Sequence, residues 1–178
     1  MKVIQLKSER LNLRLINLSD LEAIHELHGL AETDRFNALG IPENIENTKL
    51  IIEPWIAENQ KTKPQIFTFA IESQNQFIGL IALNLGKEKH KSAEVWYKLH
   101  TNFWNKGYAT EALKAIINFG FNDLKLHRIS AGCAVENIGS IRVLEKVGMT
   151  LEGRKRQNLP LKTGWSDNFE YAILETDI

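Results

Sequence analysis

The sequence is poor in whatever would staple, extend or anchor a chain. Its 178 residues hold a single cysteine, Cys133, so no intrachain disulfide can form. Cys133 lies in the apolar run Ile129 to Val135. It reads as a small buried hydrophobe, since no histidine stands beside it in an activating motif. Only four prolines are present. No Pro-, Gly- or Ser-rich tract, repeat or shift of composition marks a linker, so one domain over residues 1–178 is expected. Neither sign of charge is in excess, with 22 Lys and Arg against 22 Asp and Glu, which argues against a nucleic-acid or anionic-membrane partner. No apolar run is long enough to span a bilayer, and Met1 to Lys7 lack the apolar core of a signal peptide. A cytoplasmic location is the resulting expectation. His25 and His28 share a helical face, but without a third ligand they predict no metal site.

What remains is the composition of an ordinary folded chain, 43% hydrophobic and 25% charged. Alternation of Leu11, Leu13 and Leu15 predicts a strand, and Ser19-Asp20 an N-cap for a helix to about Leu30. Residues 31–43 read as irregular. A helix is expected over Ile45–Asn59, with its continuity in question at Pro54. Ile66–Ile71 and Phe77–Leu83 read as strands joined by a turn at Ser73-Gln74-Asn75. The run Lys87-Glu88-Lys89-His90-Lys91 reads as a solvated hairpin tip before a strand over Ala93–Leu99. A helix to about Phe121, a strand over Arg128–Val135 and a helix over Ile138–Val147 follow. Strands over Thr150–Arg156 and Phe169–Leu174 close the chain. This order, β-α-α-β-β-β-α-β-α-β-β, predicts a mixed, α+β fold with helices on both faces of a sheet.

The richest stretch is Asn102-Phe103-Trp104-Asn105-Lys106-Gly107-Tyr108-Ala109-Thr110-Glu111-Ala112-Leu113. A strand passes through a short loop with small residues into a helix. The first N–H groups of a helix have no internal partner and meet the positive end of its dipole, so this arrangement suits an anion such as a phosphate. It is neither a dinucleotide fingerprint nor a P-loop, because G-x-G-x-x-G and Gly-Lys-Ser/Thr are both missing. Alone it equally describes a tight turn. Glu111, in the helix's first turn, would repel a phosphate and should point away from it. A second element follows at Glu136 to Met149, where Asn137 suits an N-cap and Gly148 the left-handed residue that ends a helix.

Together these stretches resemble the GNAT N-acetyltransferase superfamily, within it the ribosomal-protein N-terminal acetyltransferase-like branch. The resemblance starts at Ser8-Glu9-Arg10-Leu11-Asn12-Leu13-Arg14. It runs through Ala93-Glu94-Val95-Trp96-Tyr97 and Trp104 to Ala112, and ends with Asn137-x-x-Ser140-x-Arg142-Val143-Leu144-Glu145-Lys146-x-Gly148 and Asp167. It implies a mostly antiparallel sheet whose fourth and fifth strands splay apart to admit acetyl-CoA. The family's signature, Arg/Gln-x-x-Gly-x-Gly/Ala, here has Trp104 in its first position. Main-chain groups of Trp104, Asn105, Lys106, Gly107, Tyr108, Ala109 and Thr110 would then hold the pyrophosphate in place of a charged side chain. Leu99 would pair with the pantetheine through its main chain, and Asn137 would contact the pantetheine or hold the splay open.

The implied reaction is attack of a neutral amine on the thioester, through an oxyanion held by a main-chain N–H near Leu99. Neither a metal nor a covalent intermediate is implied. Many relatives protonate the leaving thiolate with a tyrosine where this chain has Leu144, whereas in the branch it resembles a serine at the position of Ser140 does so. Ser140 is therefore the expected acid, with helix capping as its other reading. Glu94 shares the polar face of its strand with Trp96 and Lys98 and is the candidate base, with a solvated carboxylate or an ion pair to Lys98 as the alternative. Trp55, Trp96 and Trp165 are candidate walls for the acceptor, which would be a protein N-terminus, amino acid, polyamine or aminoglycoside. Asp167 is expected to order the end of the sheet, with contact to the acceptor amine as its other reading. A non-catalytic acyl-CoA sensor or scaffold is the other function these residues allow, and oligomeric state is not legible.

Overall fold

The structure is a computed structural model, and it describes residues 4–178. One sheet of eight strands runs through it, in the spatial order β1-β2-β3-β4-β5-β6-β8-β7. The strands are β1 (Gln5–Lys7), β2 (Asn12–Leu15), β3 (Ile66–Ser73), β4 (Gln76–Leu85), β5 (Ser92–Leu99), β6 (Arg128–Ala134), β7 (Thr150–Leu161) and β8 (Gly164–Leu174). Among the described residues every pairing is antiparallel except that of β5 with β6. The mixed sheet and its helices on both faces are those expected from the sequence. The short β1 is an addition, so the expected fourth and fifth strands are β5 and β6.

The helices are α1 (Leu21–Gly29), α2 (Ala31–Asp34), α3 (Ile45–Asn59), α4 (Tyr108–Asn118) and α5 (Ile138–Lys146). On one face of the sheet, α4 and α5 bury Ala112, Leu113, Ile116 and Leu144 against Phe69, Ile81, Val95 and Ile129. On the other, Ile24 and Leu27 of α1 and Ile52 of α3 pack on Ala70 and Leu80, with Trp55 and Trp96 at their margin. Burial of this kind is worth about 25 cal/mol per Å² of apolar surface and is what holds helices of such length.

Several local expectations are refined. Asp20 makes no side-chain cap for α1. Its carboxylate instead receives the Asn17 N–H and two bonds from Arg14, as part of a capping box that closes a 3-10 turn over Leu18–Asp20. Residues 31–43 are not wholly irregular, because α2 forms one turn there. Pro54 does not break α3. The carbonyl it leaves without a partner belongs to Leu50, a residue 69% exposed, so water can satisfy it. Gln74 and Asn75, both at positive φ, form the two-residue turn between β3 and β4.

The closing strands β7 and β8 are longer than the sequence predicted. β7 is exposed along almost its whole length, so it carries no apolar alternation to read. Its irregularity at Gln157, where φ is +45°, is tied by Asp167, which accepts from the Gln157 N–H at 2.8 Å and from Arg154 Nε at 2.7 Å. The run Lys87–Lys91 is the exposed tip between β4 and β5. At Gly79 the two strands close up, since a Cβ there would lie 2.9 Å from the Leu99 Cα.

Candidate active site

β5 and β6 lie side by side over three residue pairs only, Ser92 with Arg128, Ala93 with Ile129 and Glu94 with Ser130. Beyond Glu94 they part. The His100 N–H donates to the Ile78 carbonyl and the Gly86 N–H to the Ser92 carbonyl. Alternation along an antiparallel ladder then gives the even-numbered residues of β5 to β4 and turns the main-chain groups of Val95, Tyr97 and Leu99 toward the gap. The Leu99 carbonyl accepts from Trp104 Nε1 at 2.8 Å. Its N–H faces the opening.

The chain next turns into α4. Asn105 (φ +58°) and Gly107 (φ +81°) are left-handed on either side of Lys106, a conformation that gathers successive N–H groups on one concave side. None of the N–H groups from Asn105 to Thr110 has a hydrogen-bond partner among the described residues. These N–H groups form a row of unspent donors at a helix N-terminus, the arrangement an anion requires. A clamp behind it holds its shape. Glu111 accepts from Ser8 Oγ, the Arg10 N–H and Arg10 Nε, each at 2.7 Å. Arg10 also donates to the Lys106 carbonyl at 3.0 Å and stacks over the Tyr108 ring. Burial alone would raise the Glu111 carboxyl, but the bonds from Arg10 and Ser8 hold it below its ordinary value.

On the far side of the gap, Asn137 caps α5 by accepting the Ser140 N–H at 3.1 Å. The cap fixes Ser140 so that its Oγ shares a 2.8 Å hydrogen bond with the Tyr97 hydroxyl. This bond bridges β5 and α5 across the opening. Burial drives the Tyr97 hydroxyl well above the usual phenol range, against a smaller lowering by Ser140. Buried Cys133 lies next to Ser140, and burial pushes its thiol up to about 11. The thiol is thus protonated near neutrality, consistent with a packing role.

Glu94, Trp96 and Lys98 occupy the opposite face of β5. Glu94 is exposed and opens on a hollow of about 440 Å³ shared with Ser130, Gly132, Lys155, Asn168 and Glu170. It does not pair with Lys98, whose Nζ is buried without a hydrogen-bond partner. Trp55 and Trp96 meet at 5.5 Å between ring centroids, but Trp165 is 67% exposed in the terminal hairpin and takes no part in that contact. Among the described residues no group of three metal-ligating side chains gathers. Among the described residues no helix is long and apolar enough to cross a membrane.

The model of the acetyltransferase (GNAT) domain matches residues 10–150. The chain belongs to the GNAT acetyltransferase family. It is an acetyl-CoA-dependent N-acetyltransferase. It is 32% identical over 170 residues to the uncharacterized N-acetyltransferase YnaD of Bacillus subtilis, covering 96% of either chain. A GNAT-family acetyltransferase from Bacillus anthracis superposes with a TM-score of 0.85 at 31% identity, over 97% of this chain and 99% of that one. The Ribosomal-protein-serine acetyltransferase of Escherichia coli is 26% identical over 168 residues, 93% of each chain.

The sequence did not single out Tyr97 or the Ser8–Arg10–Glu111 clamp as site elements. Tyr97 carried a signal, because it alternates in phase with Leu99. The clamp carried none, since its partners lie 103 and 101 residues apart.

Proposed function

We propose that this acetyltransferase acetylates a primary amine, a protein N-terminus or a small amine, by direct attack in a ternary complex. The observation that carries the reading is the hydrogen bond between Ser140 and Tyr97 across the gap, one wall of which continues into the row of free N–H groups. In this reading, main-chain N–H groups of Asn105, Lys106, Gly107, Tyr108, Ala109 and Thr110 hold the pyrophosphate. The Leu99 main chain pairs with the pantetheine. Trp104 acts through Leu99, and Asn137 acts through Ser140.

The amine nitrogen attacks the thioester carbon, a C–N bond forms, and the oxyanion is stabilised by a main-chain N–H near Leu99. Collapse breaks the C–S bond. The thiolate takes a proton from the Ser140 hydroxyl, which Tyr97 can resupply through their shared bond. The attacking nitrogen gives up its proton to Glu94, directly or through a water. Glu94 lies on the face of β5 away from Tyr97, so the acceptor approaches from the hollow while the cofactor enters beside α4 and α5. The E. coli relative, whose name specifies ribosomal-protein serine, supports a protein N-terminus among the candidate acceptors.

The test is thiol release from acetyl-CoA with short peptides, amino acids, polyamines and aminoglycosides as acceptors. Turnover on at least one of these amines is expected. Tight acetyl-CoA binding with no turnover on any of them would overturn the reading.

A further inference from the structure

The hollow of about 440 Å³ beside Glu94 holds one deeply set polar side chain, Asn168, which is 6% exposed. Asn168 Nδ2 donates to Glu170 Oε1 at 2.7 Å and to the Phe169 carbonyl at 3.2 Å. These two oxygens fix the orientation of the amide, since a flip would set Oδ1 against a carboxylate. Gly132 makes room for it, because a Cβ there would lie 2.7 Å from Asn168 Nδ2. Asn168 Oδ1 is left without a hydrogen-bond partner among the described residues. An acceptor on so buried a side chain, turned away from what anchors Nδ2, calls for a donor from the hollow.

The free polar atoms around Asn168 Oδ1 are of one kind. Lys155 Nζ lies 3.1 Å from Glu170 Oε1, the same oxygen that receives Asn168, so Glu170 Oε2 stays unpaired. Glu94 forms no ion pair among the described residues. Ser130 Oγ spends its proton on the Ala93 carbonyl at 3.3 Å and keeps its lone pairs. Arg128, earlier on β6, is held by Glu152. Two carboxylates and two neutral oxygens thus face a single ammonium, which is already engaged. The ligand that matches them donates hydrogen bonds and carries positive charge.

The spacing asks for more than one charge. Glu94 pairs with Ser130, and Glu170 with Gly132. The two glutamates therefore stand two strands and two residues apart, about 12 Å between Cα atoms. Glu94 is at the last pair before β5 and β6 part, and Glu170 lies beyond it. One ammonium at Glu94 leaves Glu170 Oε2 and Asn168 Oδ1 unsatisfied, whereas a second on the same molecule satisfies both. A peptide N-terminus would instead bring an amide oxygen beside its amine, and the one ammonium that could receive it serves Glu170.

Resting on the acyl-transfer reading above, we propose that Glu170 and Asn168 form a subsite for a second ammonium of the acceptor, whose reacting amine stands at Glu94. The enzyme then selects small diamines or polyamines over monoamines and peptide N-termini.

Two measurements test this. The first compares 1,6-diaminohexane, hexylamine and alaninamide as acceptors. The two aliphatic amines share a carbon chain and differ in the second ammonium. In the wild type kcat/KM for the diamine should exceed that for hexylamine at least tenfold. Glu170→Gln keeps an oxygen for Asn168 and Lys155 but removes the charge, and should bring the two amines within threefold of each other. Equal rates in the wild type, a preference that survives Glu170→Gln, or a wild-type preference for alaninamide over the diamine would overturn the subsite. The second measurement needs no turnover. 1,6-Diaminohexane is titrated into the CoA-loaded protein while the Asn168 side-chain amide resonances are followed. Shifts in the wild type that vanish in Glu170→Gln support the subsite, even if no amine is acetylated and the acyl-transfer reading falls. Unmoved resonances would assign the hollow to water and overturn it.

Discussion

The Trp104 indole N–H donates to the Leu99 carbonyl at 2.8 Å. It ties the end of β5, beyond its pairing with β6, to the loop that opens α4. The family signature has Arg or Gln in this position. Here the side chain at the first position of the motif is spent inside the protein, and its influence on a ligand passes through the strand.

Replacing Trp104 with Phe keeps the ring but removes this donor. A neutral hydrogen bond contributes about 0.5–1.5 kcal/mol. Acetyl-CoA affinity, measured by calorimetry, should therefore fall about three- to tenfold, with kcat little changed. Full affinity in this variant would show that Leu99 needs no such tether.

Gly107 is the second target. At φ +81° a β-branched residue is strained, and its Cβ would sit 3.3 Å from Arg10 Nη2. Gly107→Val should cost about 1–2 kcal/mol of stability, seen in urea melts, through its left-handed backbone. It should also weaken acetyl-CoA binding by more than tenfold, because the side chain crowds the row of N–H groups. A destabilised protein that binds as well as wild type would remove Gly107 from the cradle.

Ser140→Ala deletes the proposed acid while leaving the Ser140 N–H on Asn137. Loss of a positioned acid typically costs about 10²–10⁴ in rate. We expect kcat to fall by about two orders of magnitude and the dissociation constant for acetyl-CoA to stay within twofold. Tyr97→Phe should lower kcat less, since Ser140 still reaches the thiolate. Wild-type turnover in Ser140→Ala would return Ser140 to helix geometry alone.

Stability should depend on pH through His28 and Lys98. Burial, aided by the charges of Lys98 and His25, holds the His28 imidazole down at about 4, below its ordinary 6.5. The unfolded chain then binds a proton first as pH falls, so stability drops between about 6.5 and 4. Burial also lowers the Lys98 ammonium, to about 8 from 10.5, against a smaller opposing effect of Asp34. Above about 8 the folded state has released a proton that the unfolded state still holds, so this residue's contribution rises up to about 10.5. Urea melts across pH should show the acid loss shrink in His28→Phe and the alkaline gain disappear in Lys98→Met. Identical profiles in variant and wild type would contradict these shifts.

Much of this was legible in the chain because it is local. The cap at Asn137, the left-handed Gly148 and the small residues that open α4 are each written within a few residues. What could not be read is what the fold brings together from afar. Tyr97 and Ser140 meet across 43 residues, and Glu111 reaches Ser8 across 103. The length of β7 was hidden for a different reason, since a strand exposed on both faces has no alternation. Of the two alternatives to Glu94 as base, the ion pair to Lys98 does not form. The period of two along a strand puts both side chains on one face of β5, but it says nothing of the packing that buries Lys98 Nζ and leaves Glu94 exposed.

The parallel contact of β5 with β6 spans three residue pairs, yet the chain between those strands contains all of α4 and the loop before it. Closing that connection costs entropy before the pairing repays it. The walls of the gap meet only after a long-range closure, which makes this region a late arrival in folding compared with the β3–β4 hairpin and its two-residue turn. The growing chain would acquire the β3–β4 hairpin before its capacity to bind. Acetyl-CoA affinity would then report completed assembly of the fold, and a variant could retain strand content while losing that affinity.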